Sequence, residues 1–464
     1  MSVRSPHRRA VLAAFVVLLA CLAVVRFGAA PGRAASGWLP AETLPATGPS
    51  LEDARVALDA RGNALAVWVR RSVDRSVLQA SWRPAGAGWQ PAVNLSSSRD
   101  VLPDPQVAIT PRGDAVVVWA TFIARRYVAM SVARRAGGAW ERPVRVSPGS
   151  RAPSTPQLAL DPQGTAFAVW EQWARGTTTV RAALRPPGRG WRRPVTLTRF
   201  SGPSSADYAA PLVAAGAGGD VVVIWTRASK RRTGGRPRST TVQAAVRPAG
   251  APWRRPVTIS RGGPYVTGGD VAVDAQGNAL AALTSASGES VWATSMQVVA
   301  RPAGERWDSP LRLSVAGEAA AEPQVAFDPR GNATALWSRF PRTGWTIVRS
   351  AIRPAGGSWQ APVNVSAPGE QAGGGRLAVD GRGTAYAVWQ RSLTFYENLD
   401  EYDAVVRAAS RPAGGAWQAP VDLSAIGLRV GFVRVAGDPR GGAMAIWEQS
   451  ADRSTVIQAA AHPG

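Results

Sequence analysis

The stretch from Val325 to Ser366 decides the fold, because the rest of the chain repeats it. It reads VAFDPRGNATALWSRF over 325–340 and, after a short spacer, VRSAIRPAGGSWQAPVNVS over 348–366. Three features define the unit: an Asp-x-x-Gly turn, an Arg-Pro-Ala-Gly turn and a tryptophan beside each turn. Successive copies are 51 to 62 residues apart, which is typical of propeller blades and too long for most helical solenoids.

The two tryptophan positions mark eight copies of this unit. The first tryptophan recurs at Trp68, Trp119, Trp170, Trp225, Trp337, Trp389 and Trp447, with Leu283 in the remaining copy. The second recurs at Trp38, Trp89, Trp140, Trp191, Trp253, Trp307, Trp359 and Trp417. Such regular repetition favours packing wedges between neighbouring blades over an aromatic array that stacks on sugars or bases.

Each copy has the pattern of four β-strands. In the first copy, a short strand ends at a turn in which Gly62 supplies a positive φ and Asp59 accepts backbone N–H bonds. The second strand, ALAVWVR, has the β-branched and aromatic residues of a buried strand. The third ends at the turn Arg83–Gly86, and the fourth carries Pro91, which is tolerated mainly at a sheet edge. The first strand is therefore expected nearest the central axis and the fourth outermost.

The two ends of the chain predict a closed ring. The last copy stops after its third strand, and residues 37–40 (GWLP) supply the missing fourth strand. Pairing these segments removes exposed sheet edges. The sequence thus predicts an all-β protein: an eight-bladed β-propeller of four-stranded blades over residues 37–464.

The first 36 residues form an export leader. Arg4, Arg8 and Arg9 precede an apolar run over residues 10–25 and then a tract of small residues. This pattern predicts a signal peptide or an N-terminal membrane anchor, with residues 10–25 as the membrane tether. Cys21 ends a segment that resembles a lipobox, so lipidation is a further alternative. We expect a secreted protein or one on the extracytoplasmic cell surface.

The composition excludes several kinds of chemistry. Cys21 is the single cysteine, and the two histidines, His7 and His462, stand in the leader and two residues from the C-terminus. A Ser-His-Asp triad and a histidine-rich metal site are therefore excluded. We predict no cofactor and no metal, and the catalytic residues, if the protein has any, are unknown.

The net charge of +23 suits anionic polymers at a cell surface, but we expect no nucleic acid as a partner. A monomer is expected.

The loops that vary between copies all lie at one end of the blades. They are the connections from the second to the third strand and from one blade to the next, so this end is the expected functional face. Its aromatic and acidic residues suit sugar recognition by stacking and hydrogen bonding. The candidate ligand-binding residues are Tyr127, Glu171, Trp173, Tyr208, Trp292, Trp345, Tyr396, Glu401 and Tyr402.

One hairpin resembles known repeat families. The segment VALDARGNALAVW over residues 56–68 is similar to the first half of an NHL repeat and, more loosely, to the Asp-box hairpins of sialidases. An Asp box has Asp-x-Gly, whereas the spacing here is Asp-x-x-Gly, and the RPAGGxW segment matches neither family. The resemblance to secreted bacterial β-propellers therefore implies architecture, and no catalytic residue is carried over from it.

Three functions are consistent with these features. The first is an exported, non-catalytic propeller that binds a glycan, a cell-wall polymer or a protein on its variable-loop face. The second is a polysaccharide-active enzyme, a sialidase-like hydrolase or a lyase, with carboxylates such as Glu171, Asp207, Glu401 or Glu448 near the central channel. The third is a scaffold whose basic surface holds anionic polymers non-specifically.

Overall fold

Regular structure in this protein is built from β-strands. The structure is a computed structural model that describes residues 37–46, 48, 50–96, 101–149, 155–174, 176–201, 210–228, 239–286, 294–341, 344–392, 403–428, 430–451 and 454–464. Within these ranges the regular elements are 33 strands, β1 to β33, and none is a helix. Over the same residues, no helical segment with the length and apolarity of a membrane span is found.

The strands form eight separate antiparallel sheets, one for each sequence repeat. The first strands of the blades are β2 (Ser50–Leu58), β6 (Gln106–Ile109), β10 (Gln157–Leu160), β14 (Leu212–Ala215), β18 (Tyr265–Val273), β22 (Ala319–Phe327), β26 (Gln371–Val379) and β31 (Arg434–Gly437). The second strands are β3 (Ala64–Ser72), β7 (Ala115–Ile123), β11 (Ala166–Ala174), β15 (Val221–Ala228), β19 (Ala279–Ala286), β23 (Ala333–Phe340), β27 (Ala385–Ser392) and β32 (Ala443–Ala451).

The outer half of each blade follows the same order. The third strands are β4 (Arg75–Arg83), β8 (Arg126–Arg134), β12 (Thr177–Arg185), β16 (Thr240–Arg247), β20 (Thr294–Arg301), β24 (Ile347–Arg353), β28 (Asp403–Arg411) and β33 (Ser454–His462). The fourth strands are β5 (Val93–Asn94), β9 (Val144–Arg145), β13 (Val195–Ser201), β17 (Val257–Thr258), β21 (Leu311–Arg312), β25 (Val363–Asn364), β29 (Val421–Asp422) and, for the last blade, β1 (Glu42–Thr43). Blade 7 has an additional short strand, β30 (Gly427–Leu428), paired with β28.

The first strands surround the central axis. Each contacts the first strand of the next blade, from β2 through β26 to β31, and β31 contacts β2 again. This closed chain of contacts confirms the prediction that the first strand of each blade is innermost. The fold is the predicted eight-bladed β-propeller.

The turn between the first and second strands has the chemistry that the sequence predicts. Asp59 Oδ1 accepts the backbone N–H groups of Arg61 (2.8 Å) and Asn63 (2.9 Å), and its Oδ2 accepts the Asn63 side-chain amide at 2.7 Å. Gly62 has φ 81°, and the glycine at this position has a positive φ in all eight blades. A residue with a Cβ would be strained there, which explains the regular glycine.

The first tryptophan of each repeat packs between two blades. Trp119, 1 % exposed, lies in a cluster with Val67, Leu78 and Val117, the first two from blade 1 and the third from blade 2. Eight such clusters occupy the eight gaps around the ring, and Leu283 takes the tryptophan's place in the gap between blades 4 and 5. The packing-wedge interpretation of these residues is confirmed.

The N-terminal segment closes the ring, as the sequence predicts. The Leu39 N–H donates to the Ala461 carbonyl oxygen at 2.8 Å, and β1 then pairs with β33 through Glu42 opposite Ala459. The paired strand begins at Glu42 rather than at Gly37. Pro40 lacks an N–H and cannot donate to the ladder, so regular pairing resumes only beyond it. Trp38 packs edge-on against Tyr386 and His462, with ring centroids 5.9 and 5.4 Å away.

Replacing a wedge tryptophan is expected to destabilise the whole ring. Trp119→Ala removes a fully buried ring and leaves a cavity between blades 1 and 2, which costs about 3–5 kcal/mol. Urea unfolding, followed by tryptophan fluorescence and circular dichroism, measures the change. Val144→Ala on the outer strand of the same blade, where Val144 is 47 % exposed, is the control and is expected to cost less than about 1 kcal/mol. Equal stability of the two variants would contradict the wedge role.

Candidate functional site

The inner strands carry a ring of variable side chains at one level of the channel. In every blade an alanine of the first strand is preceded, two residues earlier, by a residue that differs between blades. We call these eight residues the axial ring: Arg55, Gln106, Gln157, Leu212, Asp270, Gln324, Arg376 and Arg434. The alanine is the same in all eight blades. The axial-ring residue is polar or charged in seven blades and is Leu212 in blade 4.

Charged residues of distant blades meet at this ring. Arg55 of blade 1 forms a salt bridge with Asp104 of blade 2, and Gln157 of blade 3 reaches the same carboxylate at 3.4 Å. Arg376 of blade 7 is close enough to Arg55, Asp104 and Asp270 for their charges to act on its pKa. Groups from blades 1, 2, 5 and 7 therefore converge on the axis at the variable-loop end.

Irregular pairing of the inner strands shapes this region. The register of the first strand shifts in blades 1, 5, 6 and 7, and Asp53 (φ 59°), Glu322 (φ 53°) and Gly374 (φ 70°) lie at three of these shifts. A bulge leaves backbone groups outside the ladder and re-aims the neighbouring side chains. Such bulges are common next to functional sites.

Acidic and amide side chains of the preceding blade accept the N–H groups near these bulges. Asp270 Oδ2 accepts the Val325 N–H at 3.0 Å, and Gln324 Oε1 accepts the Leu377 N–H at 2.8 Å. Glu448 Oε1 accepts the Ala54 N–H at 3.0 Å across the join between blades 8 and 1. Buried backbone donors need such partners. These bonds explain the presence of carboxylates in the wall of the channel.

Glu448 stands directly after the wedge tryptophan of its blade. The same position is occupied by Thr226 and Gln390 in blades 4 and 7, and each of these also bonds to the backbone of the next blade. Glu171 has this position in blade 3 and is 5 % exposed. The residue after the tryptophan therefore joins one blade to the next in blades 4, 7 and 8.

Burial alters the pKa of several groups in the channel. Desolvation raises the pKa of Asp270 to about 6 and that of Glu448 to about 7, with the nearby Asp53 contributing to the second shift. Burial, together with the positive charges of Arg55 and Arg376, lowers the pKa of Arg434 to about 9. The three arginines thus repel one another at the axis.

A cavity of about 240 Å³ opens beside these arginines, over blades 6, 7 and 8. We call it the axial cavity. Its wall combines two aromatic rings, two guanidinium groups, one carboxylate and two side-chain amides: Phe340, Phe432, Arg376, Arg434, Glu322, Gln371 and Gln390. Thr346 and Ser392 add hydroxyl groups, and Gly373 and Gly374 leave space. Its lining belongs to the ends of first and second strands, at the variable-loop end of the propeller.

A second cavity, of about 450 Å³, lies at the opposite face between blades 5 and 6. Its wall is made from the repeated turns and includes Asp274, Asn278 and Arg301. Asp274 accepts the N–H of Asn278 at 2.8 Å, and Arg301 donates to the Gly277 carbonyl oxygen. Because these polar groups serve the turns themselves, this cavity is a weaker candidate site.

Four of the nine candidate residues lie in the described part of the chain. Tyr127, on blade 2, packs on Phe122 with ring centroids 4.9 Å apart. Glu171 and Trp173 lie on β11 of blade 3, and Trp345 directly precedes Thr346 of the axial cavity. None of the four is part of the axial cavity's lining. They remain predictions.

The other five candidates lie outside the described residues: Tyr208, Trp292, Tyr396, Glu401 and Tyr402. None of the residues that line the axial cavity was among the candidates, and those missed include Arg376, Gln371, Gln390, Phe432 and Arg434. Aligning the eight repeats on the constant alanine of the first strand would have revealed Arg376 and Arg434. The remaining three come from positions whose proximity depends on the closed ring. Among the described residues there is no group of three or more His, Cys, Asp or Glu side chains placed to hold a metal ion.

Comparison with known proteins supports the fold rather than one family. No family model matches the chain, and no curated protein is similar to it in sequence. The similarity of the hairpin to NHL repeats is therefore not confirmed.

Solved structures share the architecture. The BP39L lectin from Burkholderia pseudomallei superposes with a TM-score of 0.51 at 14 % identity, covering 81 % of this chain and 100 % of the lectin. The polysaccharide lyase Uly1 has a TM-score of 0.47 at 11 % identity, over 80 % of this chain and 90 % of that one. A leech trans-sialidase has a TM-score of 0.38 at 10 % identity, over 90 % and 91 %. The last two superpose too loosely to carry an argument. The chain is an eight-bladed β-propeller whose structural neighbours include lectin and sialidase-like propellers.

The raised pKa of Glu448 predicts a pH-dependent stability. The unfolded carboxyl ionises above its ordinary pKa of 4.5, whereas the folded one stays protonated up to about 7. Folded protein therefore binds more protons in this interval, and stability falls as the pH rises from about 4.5 to about 7. Glu448→Gln, which keeps an acceptor for the Ala54 N–H, is expected to remove the part of this fall that Glu448 causes, on the order of a few kcal/mol at pH 8, and to leave the part that comes from the raised pKa of Asp270.

Urea unfolding of the wild type and the variant at pH 5 and pH 8 measures the effect. The exposed Glu305, replaced by Gln, is the control and is expected to follow the wild type at both pH values. If the wild type and Glu448→Gln lose the same stability between pH 5 and pH 8, the buried-carboxyl assignment is wrong.

Proposed function

We propose that this protein is an exported, non-catalytic β-propeller that binds a carbohydrate, and that the axial cavity is its binding site. The observation that carries the proposal is the combination of aromatic and polar groups in one cavity at the variable-loop end. Phe432 is 58 % exposed and Phe340 stands in the same wall. Exposed rings pack on the apolar faces of sugars, and the hydroxyl groups of Thr346 and Ser392 suit sugar hydroxyl groups.

The roles of the carboxylates support binding rather than catalysis. Glu322 accepts bonds from the Ser338 hydroxyl (2.9 Å) and the Gly374 N–H (3.0 Å) through the same oxygen, Oε2. Asp270 and Glu448 are committed to backbone N–H groups of neighbouring blades. Glycoside hydrolysis needs two carboxyl groups that face the bond to be broken. In the described part of the chain, the acids near the cavity act as structural acceptors instead.

The fold is compatible with this function. The BP39L lectin, which shares the architecture, is named for carbohydrate binding. A shared propeller does not transfer a ligand, so the lectin makes a sugar a reasonable first class of ligand to test and nothing more specific. The leader predicted from the sequence adds the expectation that the ligand is met outside the cytoplasm, as a glycan or a cell-wall polymer.

One observation favours the enzymatic alternative. The pKa of Glu448, raised by burial to about 7, is in the range of a general acid that works near neutral pH. Against this, Glu448 is 8 % exposed and does not line the axial cavity. A hydrolase or lyase therefore has less support than a binding protein.

Screening the full-length protein on a glycan and cell-wall polysaccharide array is the test. We expect selective binding that persists at physiological salt. Titration calorimetry with the best ligand is then expected to show about a tenfold loss of affinity for Phe432→Ala, the loss of one stacked ring. Ile426→Ala is the control, since Ile426 lies on the same blade connection, is 66 % exposed and is outside the cavity lining.

Three results would overturn parts of the proposal. Unchanged affinity of Phe432→Ala would remove the axial cavity as the site. Absence of binding across the array would remove carbohydrate as the ligand class and favour a protein partner. New reducing ends or unsaturated products from a bound polysaccharide, lost in Glu448→Gln, would establish the enzymatic alternative.

A further inference from the structure

We infer that the axial cavity selects acidic saccharides, with Arg376 and Arg434 binding a carboxylate or sulfate group of the sugar. The inference rests on the proposed function, because it specifies which carbohydrates the same cavity takes. It is carried by the unbalanced hydrogen bonding of the charged groups around the cavity.

The two arginines have many unused donors. A guanidinium group has five N–H donors. Arg376 Nη1 donates to the Gly375 carbonyl oxygen at 3.1 Å, and Arg434 Nη1 donates to the Val433 carbonyl oxygen at 3.0 Å. The remaining Nη donors of Arg376 and Arg434 have no partner among the described residues. A buried charged donor without a partner is costly, so an incoming anion would gain from bonding to it.

The acids nearest to Arg376 are already engaged elsewhere. Glu322, the only carboxylate in the described lining of the cavity, accepts bonds from Ser338 and Gly374. Asp270 accepts the N–H groups of Val325 and Val271.

The acids nearest to Arg434 are likewise committed. Asp104 forms the salt bridge with Arg55, and Glu448 accepts the Ala54 N–H. Burial also favours the protonated form of Glu448. Each carboxylate around the cavity thus has partners of its own, whereas each of the two arginines has one bond to the carbonyl of its preceding residue.

Like charges add to the imbalance. Burial is the largest cause that lowers the pKa of Arg376 and of Arg434. Arg55 lowers the pKa of Arg376 further, against the opposing effect of Glu322, and Arg55 and Arg376 lower that of Arg434. An anion bound between Arg376 and Arg434 relieves both effects. Planar guanidinium groups bind carboxylates and other oxyanions through paired N–H bonds.

The same cavity has room and an apolar surface for the sugar ring. The Arg434 guanidinium lies over the Phe432 ring, 5.4 Å from its centroid. A Cβ added at Gly373 or Gly374 would meet no atom within 4 Å. An exposed ring beside a cationic pair, with open space in front of both glycines, fits a pyranose that carries a negative charge.

The test compares matched acidic and neutral oligosaccharides by titration calorimetry with the full-length protein. A tetragalacturonate and its methyl ester test the carboxylate source. A sulfated galactan oligomer and its desulfated form test the sulfate source. We expect at least one acidic probe to bind ten- to a hundredfold more tightly than its neutral counterpart at 150 mM NaCl, as two charge-assisted bonds provide.

Five variants, two of them controls, locate the effect. Arg434→Gln and Arg376→Gln are each expected to reduce affinity for the acidic probe at least tenfold more than affinity for its neutral counterpart, so that the preference is lost. Gly373→Phe fills the cavity and is expected to abolish binding of both. Arg330→Gln, an exposed arginine of the opposite face, and Gly190→Phe, at a turn glycine with equal free space, are the matched controls. Thermal unfolding establishes that every variant is folded.

The outcomes separate this inference from the proposed function. If neutral and acidic probes bind equally and Gly373→Phe abolishes both, the cavity binds sugars without charge selection and the inference fails alone. Failure of every probe, acidic or neutral, overturns both. An equal loss of affinity for Arg330→Gln, or a preference that disappears at 300 mM NaCl, would assign the effect to the overall basic surface and overturn the inference.

Discussion

The structure depends on the contact between a buried tryptophan and the preceding blade. A single four-stranded sheet cannot bury both of its faces, so each blade needs a neighbour on either side. In seven of the eight gaps the buried cluster contains an indole ring, and in the remaining gap Leu283, which is 0 % exposed, has its place. Because every gap is filled in the same way, the ring is held by a repeated interaction and closes only when the last gap is filled.

This arrangement assigns the polar residues of the inner strands to two tasks. Some, such as Asp270 and Glu448, accept backbone N–H groups across a blade boundary and so belong to the architecture. Others, such as Arg376 and Arg434, reach the same region with one backbone bond each. The distinction matters for function, because a carboxylate in a channel resembles a catalytic group until its hydrogen bonds are known. Here the bonds occupy the acids and leave donors of the two cations for the ligand that we propose.

The candidate site is therefore asymmetric on a symmetric scaffold. The constant alanines and turn residues repeat in all blades or nearly all, whereas the axial ring differs from blade to blade. The axial cavity lies over blades 6, 7 and 8, and Arg376 and Arg434 of the axial ring are part of its lining. The architecture shared with a lectin propeller concerns the fold alone, and the charge selection that we infer comes from the residues of this chain.

The sequence by itself determined the number of blades, the order of strands within them and the closure of the ring. It did so because the Asp59-type turns, the wedge tryptophans and the edge prolines recur in the same order every 51 to 62 residues. The same repetition showed that most tryptophans are structural. The sequence also placed the variable loops at one end, since antiparallel order fixes which loops share a face.

Only the tertiary structure decided which residues meet at the axis. Arg376 and Arg434 are 58 residues apart, and Arg55 is more than 300 residues from either. Their proximity follows from bulges and from ring closure, which bring the start of each first strand to a common centre and which no local pattern encodes.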